Sequence, residues 1–279
     1  MIRIITDSAS DFNLAEAAQK GVTVLPMKVQ FGDTTYLAGE NLSAEDFYKK
    51  LIESDELPTT SQITPYDFTE EFQKVSDAGD SAVVILLSSE LSGTVQSAML
   101  AASEFDNIHV VDSLNVTIGE QCLIYLAIKL REDGKSAAEI AKILTEKREK
   151  VQLLALLDTL EYLKKGGRIS ATTAFAGNLL SIKPVIKIEE GKVVMLGKAR
   201  GSKNGNNMLK EMTKKYEIDF DAPIVLGYTG LSTNLLDKYV EDSKELWEGK
   251  VDTLPVALVG STIGTHAGPG AIAVSFFYK

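Results

Sequence analysis

The first 158 residues have a pattern of apolar and polar positions that predicts alternating strands and helices. Apolar runs typical of buried strands lie at residues 2–6, 22–25, 82–87, 109–111 and 151–157. Thr64 with Pro65, and Ser136 with Glu139, mark helix starts between them. Strands that alternate with helices favour a parallel sheet covered on both faces. We therefore expect a three-layer α/β domain over residues 1–158.

The pattern changes after Asp158. Residues 183–188 and 192–196 flank Glu190 and Gly191, which predicts a hairpin. Further strands are predicted at residues 224–228, 255–260 and 271–277, again alternating with helices. We expect a second α/β domain with a mixed sheet over residues 159–279.

Composition is typical of a globular protein, with 44% apolar and 24% charged residues. This apolar content is ample for a core and excludes disorder as the main state. No apolar run approaches the roughly 20 residues that a helix needs to cross a bilayer. Cys122 is the single cysteine, which excludes an internal disulfide, and the first residues do not resemble a secretion signal. We predict a cytoplasmic protein.

The net charge of −10 argues against general nucleic-acid binding, because phosphate contacts need a basic surface. The charge is uneven, since residues 164–215 carry 12 basic and 3 acidic side chains. This segment is either a solvated lysine-rich face or a surface that meets an anion, such as a nucleotide or an acidic partner.

Hydroxyl-bearing clusters follow the ends of several predicted strands, where ligands bind in parallel α/β sheets. The clusters are Asp7, Ser8 and Ser10; Ser88, Ser89, Ser92 and Thr94; Asp112 and Ser113; and the loop with Thr59, Thr60, Ser61 and Gln62. Ser92, Gly93 and Thr94 lie where a strand turns into a helix, whose free N–H groups favour an anion. The alternative is that Ser92 only caps the helix.

The segment 264–270 is dense in glycine around His266. Glycine lets the backbone approach a ligand closely, and an imidazole can donate a hydrogen bond to an oxyanion. A purely structural histidine is the alternative.

Motifs of self-sufficient catalysts are missing. The chain has no phosphate-binding P-loop, no Gly-x-Gly-x-x-Gly after the first strand, and no nucleophile elbow at Ser92. A transition-metal site is poorly supported, because the chain has only two histidines and one cysteine as ligands. Asp7, Asp11 and Asp112 could hold magnesium, although surface or capping roles are the alternative. This set of residues is more typical of an anion receptor than of a catalyst.

Several motifs recur in the order that one family uses. They are Thr6 to Asp11; Thr60, Ser61 and Gln62; Leu91 to Thr94 with Gln96, Ser97 and Ala98; Asp112 and Ser113; Leu160 to Leu163 with Gly166 to Ser170; Lys183 and Pro184; Lys198 and Arg200; and His266 with Gly268, Pro269 and Gly270. With these motifs the chain resembles the DegV family over essentially its whole length. The best understood members are fatty-acid-binding subunits (FakB-type) of a bacterial fatty-acid kinase.

The resemblance implies two α/β domains with a lipid between them. It implies that Thr60, Ser92 and His266 hold the fatty-acid carboxylate, with Ser61, Gly93 and Thr94 in the same site. It places Arg168 and Arg200 near the pocket mouth, where the kinase subunit docks. It implies a bound long-chain fatty acid but no cofactor, metal or catalytic residue, and it is compatible with transient contact with a membrane surface.

The resulting hypothesis is a lipid-binding subunit that presents a fatty-acid carboxylate to a separate ATP-dependent kinase subunit, which forms an acyl phosphate. Its rivals are a magnesium-dependent hydrolase or phosphotransfer enzyme acting on a small anion, and a regulator whose lipid occupancy controls another partner. The chain departs from its relatives at Ile63, Gln121 and Ala273, which replace a proline and two glycines. If Gln121 and Ala273 line the tail tunnel, their side chains alter its width.

Overall fold

The computed structural model describes residues 1–54, 56–169 and 182–279, which form three β-sheets and the helices around them. Ser170 of the predicted junction motif lies outside this part. The strands are β1 Ile2–Asp7, β2 Val22–Leu25, β3 Lys28–Phe31, β4 Thr34–Leu37, β5 Thr59–Ser61, β6 Ser81–Leu86, β7 Ile108–Asp112, β8 Val151–Leu156, β9 Ile182–Glu189, β10 Lys192–Arg200, β11 Ile224–Tyr228, β12 Val256–Leu258 and β13 Ile272–Phe277.

The α-helices of the described residues are short to medium in length. They are α1 Leu14–Lys20, α2 Ala44–Glu53, α3 Pro65–Asp77, α4 Thr94–Ala102, α5 Ile118–Glu132, α6 Ala137–Lys147, α7 Glu161–Lys165, α8 Ser202–Thr213, α9 Asn234–Asp242, α10 Lys244–Trp247 and α11 Ser261–Ala267. None of these helices has the length and apolarity needed to cross a membrane.

The first sheet has the order β2-β1-β6-β7 and is parallel throughout. Alternate residues of β6 point to opposite faces. Val83 packs in the core shared with α5 and α6, and Val84 packs in the core formed with α3 and α4. The sheet is therefore covered by helices on both faces, which confirms the predicted three-layer arrangement.

The second sheet has the order β10-β9-β8-β13-β11-β12 and is mixed, as predicted. Its neighbours are antiparallel except for β11 and β12. The expectation that residues 151–157 continue the parallel sheet is wrong, because β8 pairs with β13 and β9. A strand buried on both faces has the same apolar pattern in either sheet. The division into domains at residue 158 stays a prediction.

Helix α5 lies between the two large sheets. It contacts β1 and β6 on one side and β8, β11 and β13 on the other. Ile118, Leu123 and Ala127 on this helix are fully buried in a core that contains residues of both sheets. The two sheets are thus joined by one continuous apolar layer.

The third sheet is small and has the order β4-β3-β5. Strands β3 and β4 form an antiparallel hairpin, whereas β5 replaces what reads as a polar loop. Thr60 on β5 pairs with Val29, and its side chain points to the opposite face from those of its exposed neighbours Thr59 and Ser61. Thr64 then begins α3 with a capping box, and Pro65 takes the first helical position.

Candidate functional site in a cavity between the sheets

A cavity, here called the central cavity, lies between the two large sheets. Its walls come from the central strands of the second sheet, the loop after β6, the start of α5, and α11. The apolar residues lining it are Met27, Leu87, Leu91, Val116, Leu153, Ala155, Leu157, Leu163, Ile186, Ile188, Val193, Val259, Ile263, Ala267, Ala271, Ile272 and Ala273. Its volume is about 110 Å3, whereas one water needs about 10–15 Å3. The space suits an apolar ligand larger than a few waters.

One part of the cavity lining carries polar side chains, and it is here called the polar wall. Thr60, Ser92 and His266 all line the central cavity, although they come from β5, the loop before α4, and α11. The Thr60 Oγ1 and His266 Nε2 atoms lie 3.0 Å apart. The structure therefore brings together the three residues that the resemblance assigns to the carboxylate.

Ser92 is positioned by the turn that begins α4. Its Oγ lies 2.9 Å from Thr94 Oγ1 and accepts a hydrogen bond from the Thr94 backbone N–H at 3.3 Å. Gly93, rather than Ser92, is the N-cap residue, and no side chain caps the helix. Thr94 is fully buried and is absent from the described lining, so it orients Ser92 from behind the cavity wall.

Gly93 makes room for the side chain of Gln62, a residue that the family resemblance does not place at the carboxylate. A Cβ atom at Gly93 would lie 2.1 Å from Gln62 Oε1, so only glycine allows this close approach. The Gln62 amide donates to Ser97 Oγ at 2.9 Å, and the side chain lines the central cavity. Gln62 belongs to the motif Thr60, Ser61, Gln62, and this motif is the feature of the sequence that indicates it as a candidate site residue. Thr262 of α11 also lines the cavity, but no signal in the sequence marks it.

His266 is held against the backbone of the turn after α7. A Cβ at Gly166 would lie 2.2 Å from His266 Nδ1, which explains a glycine there. The Nδ1 atom is buried and has no hydrogen-bond partner among the described residues. Burial, with a smaller effect from the charge of Arg168, lowers the pKa of His266 to about 4. The ring is therefore neutral at pH 7.

The two arginines occupy different places. Arg168 lines the central cavity, and its guanidinium donates to the carbonyl oxygens of Leu91 at 3.1 Å and Gly166 at 2.7 Å. Arg200 is exposed at the end of strand β10 and is not among the described lining residues. Ser61 is likewise exposed, on the face of β5 away from Thr60. Their roles in docking and in carboxylate binding stay predictions.

Two of the three aspartates considered as magnesium ligands accept hydrogen bonds from backbone N–H groups. Asp7 is fully buried and accepts from the N–H groups of Ala9 and Leu87, while Asp112 accepts from those of Ser89 and Leu114. Burial raises the pKa of Asp7 to about 7. Within residues 1–54, 56–169 and 182–279, no three His, Cys, Asp or Glu side chains gather as metal ligands. No contact of these residues favours magnesium chemistry.

Ala273 lines the central cavity, whereas Gln121 does not. The Gln121 amide instead donates to the Asp11 carbonyl at 2.8 Å, beside a different cavity. Of the two positions considered for the width of a tail tunnel, only Ala273 bears on it.

Comparison with known proteins identifies the family of this chain. The family model of DegV matches residues 1–279. The chain belongs to the DegV family. A DegV domain-containing protein of Caldanaerobacter subterraneus is 32% identical over 281 residues, covering 100% of this chain and 99% of the relative.

Solved DegV structures share the whole fold. A DegV family protein from Thermus thermophilus, described by its fatty acid binding, has a TM-score of 0.88 at 30% identity and covers 100% of this chain and 99% of its own. DegV of Bacillus subtilis, described as a fatty acid binding protein, has a TM-score of 0.86 at 28% identity with the same coverage. Both likenesses extend over the full length of this chain.

Proposed function

We propose that this DegV protein binds a long-chain fatty acid, with the alkyl tail in the central cavity and the carboxylate at Thr60, Ser92 and His266. The observation that carries the proposal is an apolar cavity whose polar wall brings two hydroxyl groups and an imidazole together. The fatty acid binding of the Thermus and Bacillus relatives supports it.

Burial of the tail provides the affinity. A tail with about 14 buried methylenes offers roughly 11 kcal/mol, at about 0.8 kcal/mol each. Association and ordering of the tail take back several kcal/mol, and the surplus still allows tight binding. The walls fit this ligand because they are formed almost entirely by aliphatic side chains such as Leu153, Ile186 and Ile263.

The polar wall orients the acid. A neutral His266 that carries its proton on Nε2 donates to Thr60 Oγ1, which leaves the Thr60 hydroxyl proton free for the carboxylate. Ser92 contributes a second hydroxyl, and the fixed guanidinium of Arg168 supplies positive charge on the same cavity wall. The hydrogen bonds to the carboxylate replace those lost from water, so they fix its orientation more than they add affinity.

We further propose that the bound carboxylate is presented, in the cytoplasm, to an ATP-dependent kinase subunit, which forms an acyl phosphate. Phosphoryl transfer needs an acceptor oxygen in line with the leaving group and compensation of the phosphate charge. Thr60, Ser92 and His266 fix the acceptor oxygen. Arg168 and the basic residues within 164–169 and 182–215 offer positive charge to a partner that carries an anionic nucleotide.

Trapping of the product tests this function. The protein loaded with hexadecanoic acid is mixed with a purified bacterial fatty-acid kinase subunit, ATP and magnesium, and hydroxylamine converts any acyl phosphate to a hydroxamate. We expect hydroxamate only when protein, kinase, ATP and fatty acid are all present. Arg168→Ala should reduce its yield, and Arg131→Ala, on α5, is the control. Hydroxamate formation that does not depend on this protein would refute the proposal.

A further inference from the structure

The central cavity ends close to a second space at the molecular surface, here called the outer pocket. The outer pocket has a volume of about 330 Å3 and lies at the start of strand β8. The residues that line it include Leu114, Arg148, Val151, Ile188, Glu190 and Tyr278. Within the described residues, Ile188 alone lines both spaces, so it lies at the boundary between them.

The central cavity extends along strand β8 away from its polar wall. Leu153 on β8 and Leu157 directly after this strand both line the cavity. At about 3.3 Å per residue, these two positions are about 13 Å apart. The polar wall lies at the Leu157 end, because Gly270, four residues after His266, packs against Asp158. A fatty acid whose carboxylate is held at the polar wall therefore points its tail toward Leu153.

Ile188 lies at the far end of this path. The register that pairs Leu154 with Lys187 places Ile188 beside Leu153 on the neighbouring strand. Val193 pairs with Ile188 across the hairpin of β9 and β10. Leu153, Ile188 and Val193 all line the central cavity, and Ile188 is only 5% exposed. These three side chains close the end of the cavity that lies opposite the polar wall.

Neighbouring residues of two other segments also pass from one space to the other at this end. Before α5, Asn115 lines the outer pocket and Val116 lines the central cavity. On β8, the same change falls between Gln152 and Leu153. The two spaces are therefore separated by a thin layer of residues that includes Ile188.

The hairpin that carries Ile188 is attached to the loop after β6. The Ser88 hydroxyl donates to the carbonyl oxygen of Gly191 at 2.8 Å, and Lys192 Nζ lies 3.2 Å from Glu90 Oε2. A Cβ atom at Gly191 would lie 2.3 Å from Ser88 Oγ, so this approach requires glycine. The attachment holds the hairpin, and with it Ile188, against the end of the central cavity.

We propose that Ile188 sets the length of the longest fatty acid that the protein accepts, because its side chain meets the terminal methyl group of the tail. This proposal rests on the proposed fatty-acid function and adds a specificity-determining residue to it. A longer tail would have to force Ile188 out of its packed position, which a well-packed interior resists. A smaller side chain at position 188 opens the central cavity toward the outer pocket, where Leu114 and Val151 offer apolar contacts.

Competition between acids of different length tests the role of Ile188. The delipidated protein is incubated with an equimolar mixture of tetradecanoic, hexadecanoic, octadecanoic, icosanoic and docosanoic acid, and native mass spectrometry identifies the acids that are bound. Ile188→Ala should shift the preferred acid by about two carbons toward longer chains, since each methylene that becomes buried strengthens binding about fourfold.

Ile186→Ala is the matched control, because Ile186 lies on the same strand and lines the central cavity but not the described lining of the outer pocket. It removes the same atoms from the middle of the path, so it should weaken all the acids alike and leave the preferred length unchanged.

Ile188→Val is a second variant that removes a single methylene and costs the fold less stability than alanine does. We expect a smaller shift in the same direction, and retention of hexadecanoic acid by both Ile188 variants reports that the fold is intact. The proposal is overturned if neither Ile188 variant changes the preferred length, or if Ile186→Ala changes it as much as Ile188→Ala does. An original chain that bound none of the acids would overturn the proposed fatty-acid function as well.

Discussion

At the scale of single residues, the polar wall of the central cavity depends on one contact across the fold. Thr60 and His266 are 206 positions apart in the chain, and their side chains are hydrogen-bonded at 3.0 Å. Because the fatty-acid carboxylate is proposed to use the same threonine hydroxyl, removal of that hydroxyl is the most local test of the head-group site.

Thr60→Val keeps the shape of the side chain and removes its hydroxyl. We expect about 5- to 20-fold weaker binding of hexadecanoic acid, since a lost hydrogen bond to a charged group corresponds to about 1.5 kcal/mol or more. Displacement of a fluorescent fatty acid measures the affinity. Thr59→Val on the exposed face of the same strand is the control and should leave affinity unchanged. Equal affinities of all three proteins would remove Thr60 from the site.

The titration of His266 is a second local test. The imidazole should titrate with a pKa of about 4 in the lipid-free protein, below its ordinary value of 6.5, because burial disfavours the charged ring. A bound carboxylate should raise this pKa. Protonation favours the unfolded chain, so the ring contributes stability above pH 6.5 that is lost as the pH falls toward 4.

NMR of the ring protons follows this titration. His109 is the other histidine of the chain, so His109→Gln simplifies the spectrum to one imidazole. A ring that titrates near 6.5 without lipid would contradict the buried position beside Gly166.

Sequence motifs located the polar wall only in part. Thr60, Ser92 and His266 were marked by hydroxyl clusters and a glycine-rich segment, and the structure places all three on one cavity. Thr262 carried no such mark, because a threonine inside a short helix looks like any other. Gln62 stands in a marked motif, but its hydrogen bond to Ser97 joins residues 35 positions apart, which the local sequence does not indicate.

At the scale of elements, the turn after α7 and helix α11 pack without space for an added methyl group. Gly166 has an ordinary helical backbone, but a Cβ there would meet His266 Nδ1 at 2.2 Å. Gly167 differs, since its φ is +70° and no atom lies within 4 Å of an added Cβ. The neighbouring glycines therefore separate a steric role from a conformational one.

Gly166→Ala should displace the imidazole from Thr60 and weaken fatty-acid binding about fivefold or more, the effect of one lost hydrogen bond. Gly167→Ala should lower the free energy of unfolding by about 1 kcal/mol, because alanine is strained at positive φ, and should leave binding intact. Parallel urea unfolding and fatty-acid titration distinguish them. If Gly167→Ala impaired binding more than Gly166→Ala, the proposed contact would be wrong.

The order of elements was largely predictable, whereas their partners were not. Capping residues gave the starts of α3 and α6, and glycine at a turn gave the hairpin of β9 and β10. Strand β8 was assigned to the wrong sheet because its uniform burial does not identify its neighbours. Strand β5 was missed because three polar residues acquire strand geometry only by pairing with β3.

At the scale of the whole molecule, the apolar layer between the two large sheets contains a buried carboxyl group. Glu120 of α5 is fully buried; its Oε1 accepts from Thr6 Oγ1 at 2.9 Å, and its Oε2 has no partner in the described chain. Burial, and then the negative charge of Asp7, holds the pKa of Glu120 well above its ordinary value. The folded protein therefore keeps a proton that the unfolded chain releases near pH 4.5.

Stability should fall as the pH rises, because the native state binds more protons than the unfolded state above that pH. Glu120→Gln keeps the acceptor for Thr6 and carries no titratable proton. We expect its free energy of unfolding to decline less between pH 5 and pH 8, by about 1 kcal/mol or more, since one pKa unit corresponds to about 1.4 kcal/mol. Urea unfolding at both pH values measures this, and Glu132→Gln, an exposed acid on the same helix, is the control. Identical pH profiles would show that Glu120 ionises freely in the fold.

The central cavity gives the whole molecule its proposed function, and its content can be identified directly. The protein is purified from bacteria without detergent, and native mass spectrometry is combined with extraction and identification of the bound lipid. We expect one long-chain monocarboxylic acid per chain, removable by delipidation and restored by added hexadecanoic acid. A chain that carries no lipid and takes up no added fatty acid would contradict the proposed function.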